Sequence, residues 1–528
     1  MTRAHSVLGW WLGVGAASFL ALFLAYPLTV ILWHSIDDLG ALLRAASNPY
    51  YRERLWFTTY QALLSTGLTV ILALPAGLLL GRYDFAGKRL LRSALTIPFV
   101  MPTVVVAIGF LALMGPRGLI GFDLRGSFGI ILFAHVFYNY AVVVRIVSSF
   151  LETLTPRLRE AAALLGAGPW RVLFRITLPL AWPAILAAAT LVFIFCFTSF
   201  GVILILAPQP AFATLEIEIY RLTARLLQLD TAAVLVLAQL LVIALFARIY
   251  TRLQARLALP LASHTLPLAS PKGWAKLQLG LNISIAILLI LSPLLALTYQ
   301  AFWPSGGLFP ELKSFRSLAD TPRTIGFAGA GQAILNSLRF ATASTLLALF
   351  VGFSFAYAVV RAGWRWLDNL SLLPLATSAV TLGFGYLLVF PQLTVSAWGI
   401  TLAHALIGFP FVTRALLPAL RSLSPTLLQA ARTLGASPTR ILLRIELPLL
   451  LPAFITAASF AFAISMGEFG ATLVITRPEY ATLPMAIFDR LGRPGAANYG
   501  SALALSVILM AITGGVMLLL ERFGRSEL

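Results

Sequence analysis

Apolar residues occupy most of the chain in long blocks that are separated by short polar segments. Each block approaches the length of about 20 residues with which an α-helix crosses the hydrocarbon core of a bilayer. The pattern therefore predicts an all-α integral membrane protein with about 12 transmembrane helices. The first block is too long for a signal peptide and lacks a small-residue cleavage site, so we interpret it as a permanent helix. The predicted helices lie near residues 9–34, 57–81, 93–115, 127–149, 183–207, 231–247, 277–301, 333–360, 369–391, 396–419, 452–475 and 500–521.

The second half of the chain repeats the first half. When His135 is aligned with His404, about 22 of the 51 positions from His135 to Ile185 are identical, which exceeds what shared hydrophobicity explains. Each copy contains six predicted helices, so corresponding helices cross the membrane in the same direction. The sequence thus predicts two parallel-repeated six-helix halves, residues 1–260 and 270–528, joined by a polar segment.

The composition excludes a water-soluble protein, because hydrophobic residues make up 59% of the chain and charged residues only 11%, with a mean hydropathy of +0.91. The formal net charge of +19 does not indicate a nucleic-acid partner, since the basic residues lie between the apolar blocks and not in a stripe with aromatic residues. They concentrate in every second loop, whereas the alternate loops hold most of the acidic residues. By the positive-inside rule, both termini are predicted to face the cytoplasm.

Each half carries a basic, moderately polar segment between its fourth and fifth predicted helices, residues 156–183 and 425–452. In the second copy, Pro425 is placed to open a short helix and Gly435 to end it in a turn. Ser437–Pro438 then supplies a cap and a first turn for a second helix. The equivalent residues of the first copy are Pro156, Gly166, Gly168 and Pro169.

The second helix of each copy carries two arginines one turn apart on one face, and a Leu-Pro pair is predicted to close each copy before the next transmembrane helix. A single copy is also compatible with an interfacial connector whose arginines bind anionic lipid headgroups. Two copies with the same glycine, prolines and arginines favour a docking surface that is presented twice to a partner with two equivalent sites. The residues concerned are Arg171, Arg175, Leu178 and Pro179 in the first copy and Arg440, Arg444, Leu447 and Pro448 in the second.

The repeated segment resembles the EAA loop of bacterial ABC importer permeases, which reads Glu-Ala-Ala, three residues, Gly, nine residues, Ile, one residue, Leu-Pro. This resemblance implies the type I ABC importer permease fold, in which each loop is a coupling helix that docks in a cleft of one cytoplasmic ATPase subunit. The partners that it implies are two copies of the ATPase, a periplasmic substrate-binding protein and membrane lipid. The second copy has Gln429 in place of the glutamate, which leaves open whether the two docking sites are equal. The matching residues are Glu160, Ala161, Ala162, Gly166, Ile176, Leu178 and Pro179, and then Ala430, Ala431, Gly435, Ile445, Leu447 and Pro448.

Permeases that carry both halves in one chain of this size form two groups, those for thiamine and its phosphates and those for ferric iron. Three segments of this chain, Thr214–Tyr220, Gly467–Gly470 and Thr482–Pro484, are more similar to the thiamine group. The resemblance therefore implies uptake of thiamine or its phosphates across the bacterial inner membrane, with ferric iron as the alternative. A secondary transporter is the rival from another class, but it would be expected to carry ionisable residues within several helices and no duplicated docking segment.

The sequence contains no Gly-x-x-x-x-Gly-Lys-Ser/Thr phosphate loop, so it supplies no ATP site of its own. ATP and magnesium are expected on the partner ATPase, and no cofactor or metal ion is expected on this chain. His135 and His404 stand at equivalent positions and are predicted to be packing residues rather than metal ligands. The single cysteine, Cys196, is predicted to be a small buried residue.

Glu468 is a carboxylate inside a predicted transmembrane helix, where an ionisable group is costly and therefore indicates a function. Two interpretations compete. Glu468 lines a translocation path and favours a cationic substrate, or it holds the Gly467–Gly470 bend by bonding to the local backbone. Phe469, and Phe200 at the equivalent position of the first half, are candidates for the same path.

Overall fold

The computed structural model describes residues 3–153, 161–162, 164–257, 269–304, 306–307, 309–318, 329–475 and 477–525. Within these residues the chain is built from helices joined by turns, and ten helices are long and apolar enough to cross a membrane. Two further apolar helices are shorter, Thr103–Met114 and Ala379–Val389. The all-α class is confirmed, and the predicted membrane segments are present as ten long helices and two short ones.

The first half contributes five long helices, the short apolar helix and several shorter connecting helices, among them Leu39–Ser47. The helices that bear on the site are α1 (Val7–Asp37), α2 (Pro49–Arg82), α3 (Lys88–Val100), α4 (Thr103–Met114), α5 (Phe128–Thr153), α6 (Pro169–Phe197), α7 (Gly201–Leu206), α8 (Leu215–Tyr220) and α9 (Leu229–Leu257).

The second half also contributes five long helices and a short apolar helix, and a further short helix precedes its fourth long helix. Its helices are α10 (Trp274–Phe302), α11 (Ala330–Ala362), α12 (Ala379–Val389), α13 (Ala397–Ser422), α14 (Pro425–Thr433), α15 (Pro438–Gly467), α16 (Gly470–Ile475), α17 (Leu483–Gly492) and α18 (Ala496–Arg525).

The third and ninth predicted helices are broken rather than continuous. α3 ends at Val100, and α4 starts after Pro102, whose backbone is extended and which lacks an N–H group. In the second half, Ser378 caps α12 by accepting a hydrogen bond from the N–H of Thr381 at 3.0 Å. Both short helices are almost entirely buried inside the protein, so neither needs the length to span lipid by itself.

The first helix of each half packs against the other half. α1 packs against α11, and α10 packs against α4. The contacts are close because glycines lie at the crossings: a Cβ atom on Gly13 would lie 2.8 Å from the Cβ of Ala358, and one on Gly109 would lie 2.8 Å from the carbonyl oxygen of Pro293. The division at residues 260–270 therefore describes the sequence repeat, while the packing crosses it.

An ion pair joins the equivalent helices of each half, with the charges exchanged. In the first half, Lys88 and Arg92 contact the carboxylate of Glu152, with 2.8 Å from Lys88 Nζ to Glu152 Oε1. In the second half, Arg421 stands at the position of Glu152, and its Nη2 lies 2.7 Å from Asp368 Oδ2. The first pair is the more buried, since the side chain of Lys88 is 7% exposed and that of Arg421 is 52% exposed.

We expect Glu152→Gln to lower the free energy of unfolding by about 2 kcal/mol, because the buried Lys88 ammonium loses its carboxylate partner. Asp368→Asn breaks the exposed pair at the equivalent place and should cost at most about 1 kcal/mol. Thermal unfolding of the two variants in the same detergent measures the difference. Equal melting temperatures would contradict this assignment.

Candidate translocation path and coupling elbows

Elbow 2, residues 425–452, begins with the helix, the turn and the cap that the sequence predicts. α14 begins at Pro425, and the chain turns at Gly435 with a φ of 77°, a conformation that favours glycine. The hydroxyl of Ser437 then accepts a hydrogen bond from the N–H of Arg440 at 3.3 Å and caps α15. The elbow has a small buried core of its own, made by Leu428, Ala431 and Ile441.

Elbow 1, residues 156–183, has the same turn in the part that the structure describes. Glu160 lies outside the described residues, whereas Ala161 and Ala162 are helical. Gly166 turns with a φ of 79°, and the next N–H, that of Ala167, donates to the carbonyl of Ala162 at 2.9 Å. No side chain caps the first turn of α6, whereas Ser437 caps α15. The helix start in elbow 1 is therefore the weaker of the two, as predicted.

Both elbows present apolar and basic side chains on their surfaces. Leu165 and Leu434 precede the turn glycines at equivalent positions and are 89% and 87% exposed. Such a leucine beside arginines is typical of a surface that a protein partner covers. Of the candidate residues, Ala161, Gly166, Arg171, Arg175, Gln429, Ala430, Gly435, Arg440 and Arg444 are exposed, Ala162 is half-buried and Ala431 is buried.

The prediction that a Leu-Pro pair closes each elbow is wrong, because α6 and α15 continue through it without a break. A π-helical turn, Leu173–Thr177 in α6 and Leu442–Glu446 in α15, comes just before each proline. Proline lacks an N–H group and crowds the preceding turn, and the wider turn accommodates it inside the helix. Each elbow is therefore continuous with a helix that reaches the centre of the protein.

A buried ion pair fastens elbow 2 to the second half. The Nε of Arg361 donates to Oε1 of Glu446 at 2.9 Å, and the two side chains are 10% and 0% exposed. Thr177 stands at the position of Glu446 in elbow 1, so elbow 1 lacks this carboxylate. The two elbows therefore share a backbone shape but differ in how they are anchored.

The two halves meet where the fourth long helix of each half ends. Phe200 lies in the break between α6 and α7, and Phe469 lies in the break between α15 and α16. Their rings stack with centroids 5.9 Å apart and planes at 28°. Each ring covers a glycine of the opposite half: a Cβ on Gly201 would lie 3.1 Å from the ring of Phe469, and one on Gly470 would lie 3.5 Å from the ring of Phe200.

Two further aromatic rings extend this contact symmetrically. Tyr220 of α8 contacts Phe200 with centroids 5.5 Å apart, and Phe488 of α17 contacts Phe469 at 5.2 Å. Phe200 and Phe469 line one cavity, Tyr220 and Phe488 line a second one, and we call these four residues the aromatic gate. The structure thus brings together Phe200 and Phe469, the two candidates that the sequence placed in different halves.

The smaller cavity, the chamber, has a volume of about 320 Å³. It is lined by both phenylalanines of the gate and by two buried acidic residues, Glu216 and Glu468. Glu216 bridges the halves, since Ser378 donates to its Oε2 at 3.1 Å and Gln239 also donates to its carboxylate.

Glu468 directly follows α15 and caps α16. Its Oε1 accepts a hydrogen bond from the N–H of Ala471 at 2.8 Å, and its Oε2 accepts one from the N–H of Thr472 at 3.0 Å. The Nε2 of His404 lies 3.1 Å from the same Oε2. These contacts support the interpretation in which Glu468 holds the bend, while a role in the translocation path stays a prediction. His404 packs against the bend, and its counterpart His135 bonds through Nδ1 to the Ser65 hydroxyl at 2.8 Å.

The larger cavity, the vestibule, has a volume of about 750 Å³. Residues 198–202 line the chamber, whereas Leu204, Ile205 and Pro208 line the vestibule, so the vestibule lies farther along the chain from elbow 1. The vestibule is therefore at the end of the helices opposite to the elbows. Five arginines line it: Arg117, Arg125, Arg221, Arg225 and Arg493.

Sequence reasoning missed these arginines, because they lie in the alternate loops that it treated as acidic. The one signal that could have found them is the repeat, which places Arg225 and Arg493 eleven residues after Thr214 and Thr482. Arg221 is paired with Glu218 through three hydrogen bonds, the shortest 2.6 Å. The hydrogen bond to Glu218 raises the pKa of the Arg221 guanidinium, which keeps this residue charged.

Repeated membrane helices, an aromatic gate between two cavities and paired elbows at one end define a multi-pass transport permease. The chain belongs to the family described as binding-protein-dependent transport system inner membrane component, whose model matches residues 73–259 and 344–526. Each matched range lies within one copy of the sequence repeat.

Full-length relatives carry a substrate in their names. The thiamine transport system permease protein ThiP of Escherichia coli (strain K12) is 27% identical, over 96% of this chain and 96% of the relative. ThiP of Haemophilus influenzae is 26% identical, over 96% of this chain and 93% of the relative. A shorter permease of Salmonella choleraesuis, provisionally named for 2-aminoethylphosphonate transport, is 30% identical over 49% of this chain and 98% of its own length.

The family fixes the general role of the protein. The chain is a multi-pass inner-membrane permease of a binding-protein-dependent ABC importer. The resemblance that the EAA loops carry is confirmed for the whole chain rather than for the loops alone.

We expect Glu468→Gln to lower the free energy of unfolding by about 1–3 kcal/mol, because an amide cannot accept from both backbone N–H groups that the carboxylate bonds. Ser199→Ala is the matched control, since Ser199 stands at the equivalent position and no side chain caps α7. Melting in detergent and uptake of a cationic solute are measured together. Unchanged melting with lost cation uptake would assign Glu468 to the path instead.

Proposed function

We propose that this permease imports thiamine or its phosphates. The proposal is supported by the names of the full-length relatives and by the similarity of the segments Thr214–Tyr220 and Gly467–Gly470 to the thiamine group. A periplasmic binding protein delivers the solute to the vestibule, and both termini face the cytoplasm. The observation that supports the transport mechanism is the aromatic gate. Its stacked rings fill the contact between the two halves at their equivalent helix breaks.

The elbows are the docking sites of two copies of a cytoplasmic ABC ATPase. Leu165 and Leu434 are exposed at equivalent positions, and two exposed arginines follow each of them along the chain. Nucleotide-driven closure of the ATPase pair moves α6 and α15, because each elbow is continuous with one of these helices. ATP and Mg²⁺ are bound by the ATPase, and this chain binds neither. The unequal anchoring by Glu446 and the exchange at Gln429 make the two docking sites unequal in strength.

The movement of α6 and α15 opens and closes the aromatic gate. Phe200 and Phe469 lie at the far ends of these helices, where Gly201 and Gly470 permit the rings to pack closely. Separation of the two breaks parts the rings and joins the vestibule to the chamber. Alternating access then depends on the aromatic gate opening only when the ATPase subunits close.

The transport proposal is tested in liposomes that contain this chain, its binding protein and its ATPase. We expect ATP-dependent uptake of labelled thiamine or thiamine monophosphate. We expect none with Gly166→Pro combined with Gly435→Pro, because proline cannot adopt the positive φ of either turn. That double variant and Arg171→Glu should also fail to co-purify the ATPase while still inserting in the membrane.

Gly515→Ala is the control, because nothing lies within 4 Å of a Cβ at this position of α18. Uptake of ferric iron without uptake of thiamine compounds would overturn the substrate assignment. A complex that still forms with both elbows disrupted would overturn the docking assignment.

We expect Phe200→Ala combined with Phe469→Ala to let labelled solute leak through the liposomes without ATP, because the two stacked rings no longer close the gate. Phe133→Ala removes a ring that is 42% exposed on the outside of α5 and should not leak. Efflux from preloaded liposomes measures the difference. A double variant whose liposomes retain the solute as well as the wild type would show that these rings do not form the barrier.

A further inference from the structure

The vestibule carries more positive charge than its own acidic residues offset. Arg221 pairs with Glu218, and Arg493 pairs with Asp489 at 2.9 Å. Among the residues that the structure describes, no carboxylate pairs with Arg117, Arg125 or Arg225. Their guanidinium groups therefore leave an uncompensated positive charge in one cavity of about 750 Å³, the size of a pocket for a small organic solute.

The arginines are held from opposite sides of the cavity. Arg225 and Arg493 stand at equivalent positions of the two halves, so one approaches from each half. Arg225 lies over the ring of Tyr220 at 5.8 Å, and Arg117 lies over the ring of Tyr499 at 5.9 Å. An arginine stacked on an aromatic face is oriented by the ring and keeps its N–H edge available for an anion.

We infer that the vestibule is a binding site for the phosphate or phosphonate group of the transported solute. Guanidinium groups bind such tetrahedral anions through paired charge-assisted hydrogen bonds, and several of them around one cavity suit an anion with several oxygen atoms. The same positive field disfavours entry of a bare metal cation such as ferric iron. This inference rests on the proposed function only in that the cavity lies on the path of the solute.

The rest of the path suits the other end of such a solute. The gate consists of aromatic rings, and the chamber behind it holds the carboxylates of Glu216 and Glu468. Aromatic faces and carboxylates attract a cationic or aromatic group. A molecule with a phosphate at one end and a cationic ring at the other, such as thiamine monophosphate, thus meets complementary chemistry in sequence. A small zwitterion such as 2-aminoethylphosphonate presents the same two charges.

The test combines binding with uptake in Arg225→Gln/Arg493→Gln. In the first arm, the purified full chain binds labelled inorganic pyrophosphate in equilibrium dialysis, and we expect the variant to bind about tenfold more weakly or worse. Raised ionic strength should weaken the wild-type binding in the same assay. Arg52→Gln, which removes an exposed arginine outside the vestibule, should bind like the wild type.

In the second arm, liposomes with all partners take up thiamine, thiamine monophosphate or 2-aminoethylphosphonate. We expect the variant to take up the phosphorus compound that the wild type transports about tenfold more slowly. Its thiamine uptake should stay within about twofold of the wild-type rate. An equal loss for thiamine, together with weaker co-purification of the binding protein, would assign the arginines to docking that protein and overturn the inference.

The two proposals fail in different ways. Wild-type liposomes that take up no thiamine compound would refute the proposed substrate, but pyrophosphate binding that depends on Arg225 and Arg493 would still support the anion site. Equal pyrophosphate binding by the wild type and the double variant would refute the anion site, whatever is transported. Gel filtration and melting of each variant confirm that the compared proteins are folded.

Discussion

A helix that stops inside a bilayer must bond its free backbone groups within the protein, and this requirement governs the centre of the molecule. α15 stops at Gly467, and the carboxylate of Glu468 receives the first N–H groups of α16. The break in the first half has no such cap, but it lies against the second break through Phe200 and Phe469. The contact between the halves and the barrier that we propose for the solute therefore consist of the same few residues. A change that loosens the one loosens the other.

In the two halves, different side chains bond to the backbone of corresponding segments. Arg54 holds the segment before α8 by donating to the carbonyl of Pro210 at 2.6 Å. Asn336 holds the corresponding segment before α17 by donating to the carbonyls of Glu479 and Ala481 at 2.9 and 3.1 Å. The exchanged charges of Glu152 and Arg421 follow the same principle, because each keeps a partner within its own half. Because the two halves have separate sequences within one chain, equivalent positions can carry different side chains.

The elbows were predictable because their signals are local. A positive φ at Gly435 and a cap at Ser437 each depend on residues a few positions apart, and the repeat pointed to both copies. The continuation of α15 through Pro448 was not predictable from the Leu-Pro pair, since a π-helical turn absorbs the missing hydrogen bond. The arginines of the vestibule were missed for another reason: they come from separate loops and gather only when the halves pack together. The repeat indicated that Phe200 and Phe469 are equivalent, but their direct contact depends on how the two halves pack together.

The exchange of first helices has a consequence for how the protein is made. α1 is synthesised well before the second half, yet its buried face, with Ala16, Leu20 and Leu24, packs into the core of that half. Its main partner, α11, begins at Ala330, and so α1 stays in lipid without that partner while some 300 further residues are synthesised. Neither half completes its own core until the other is in the membrane. Assembly of this permease is thus a late event in its synthesis, and a chain cut off at the junction would leave α1 and the site for α10 unfilled.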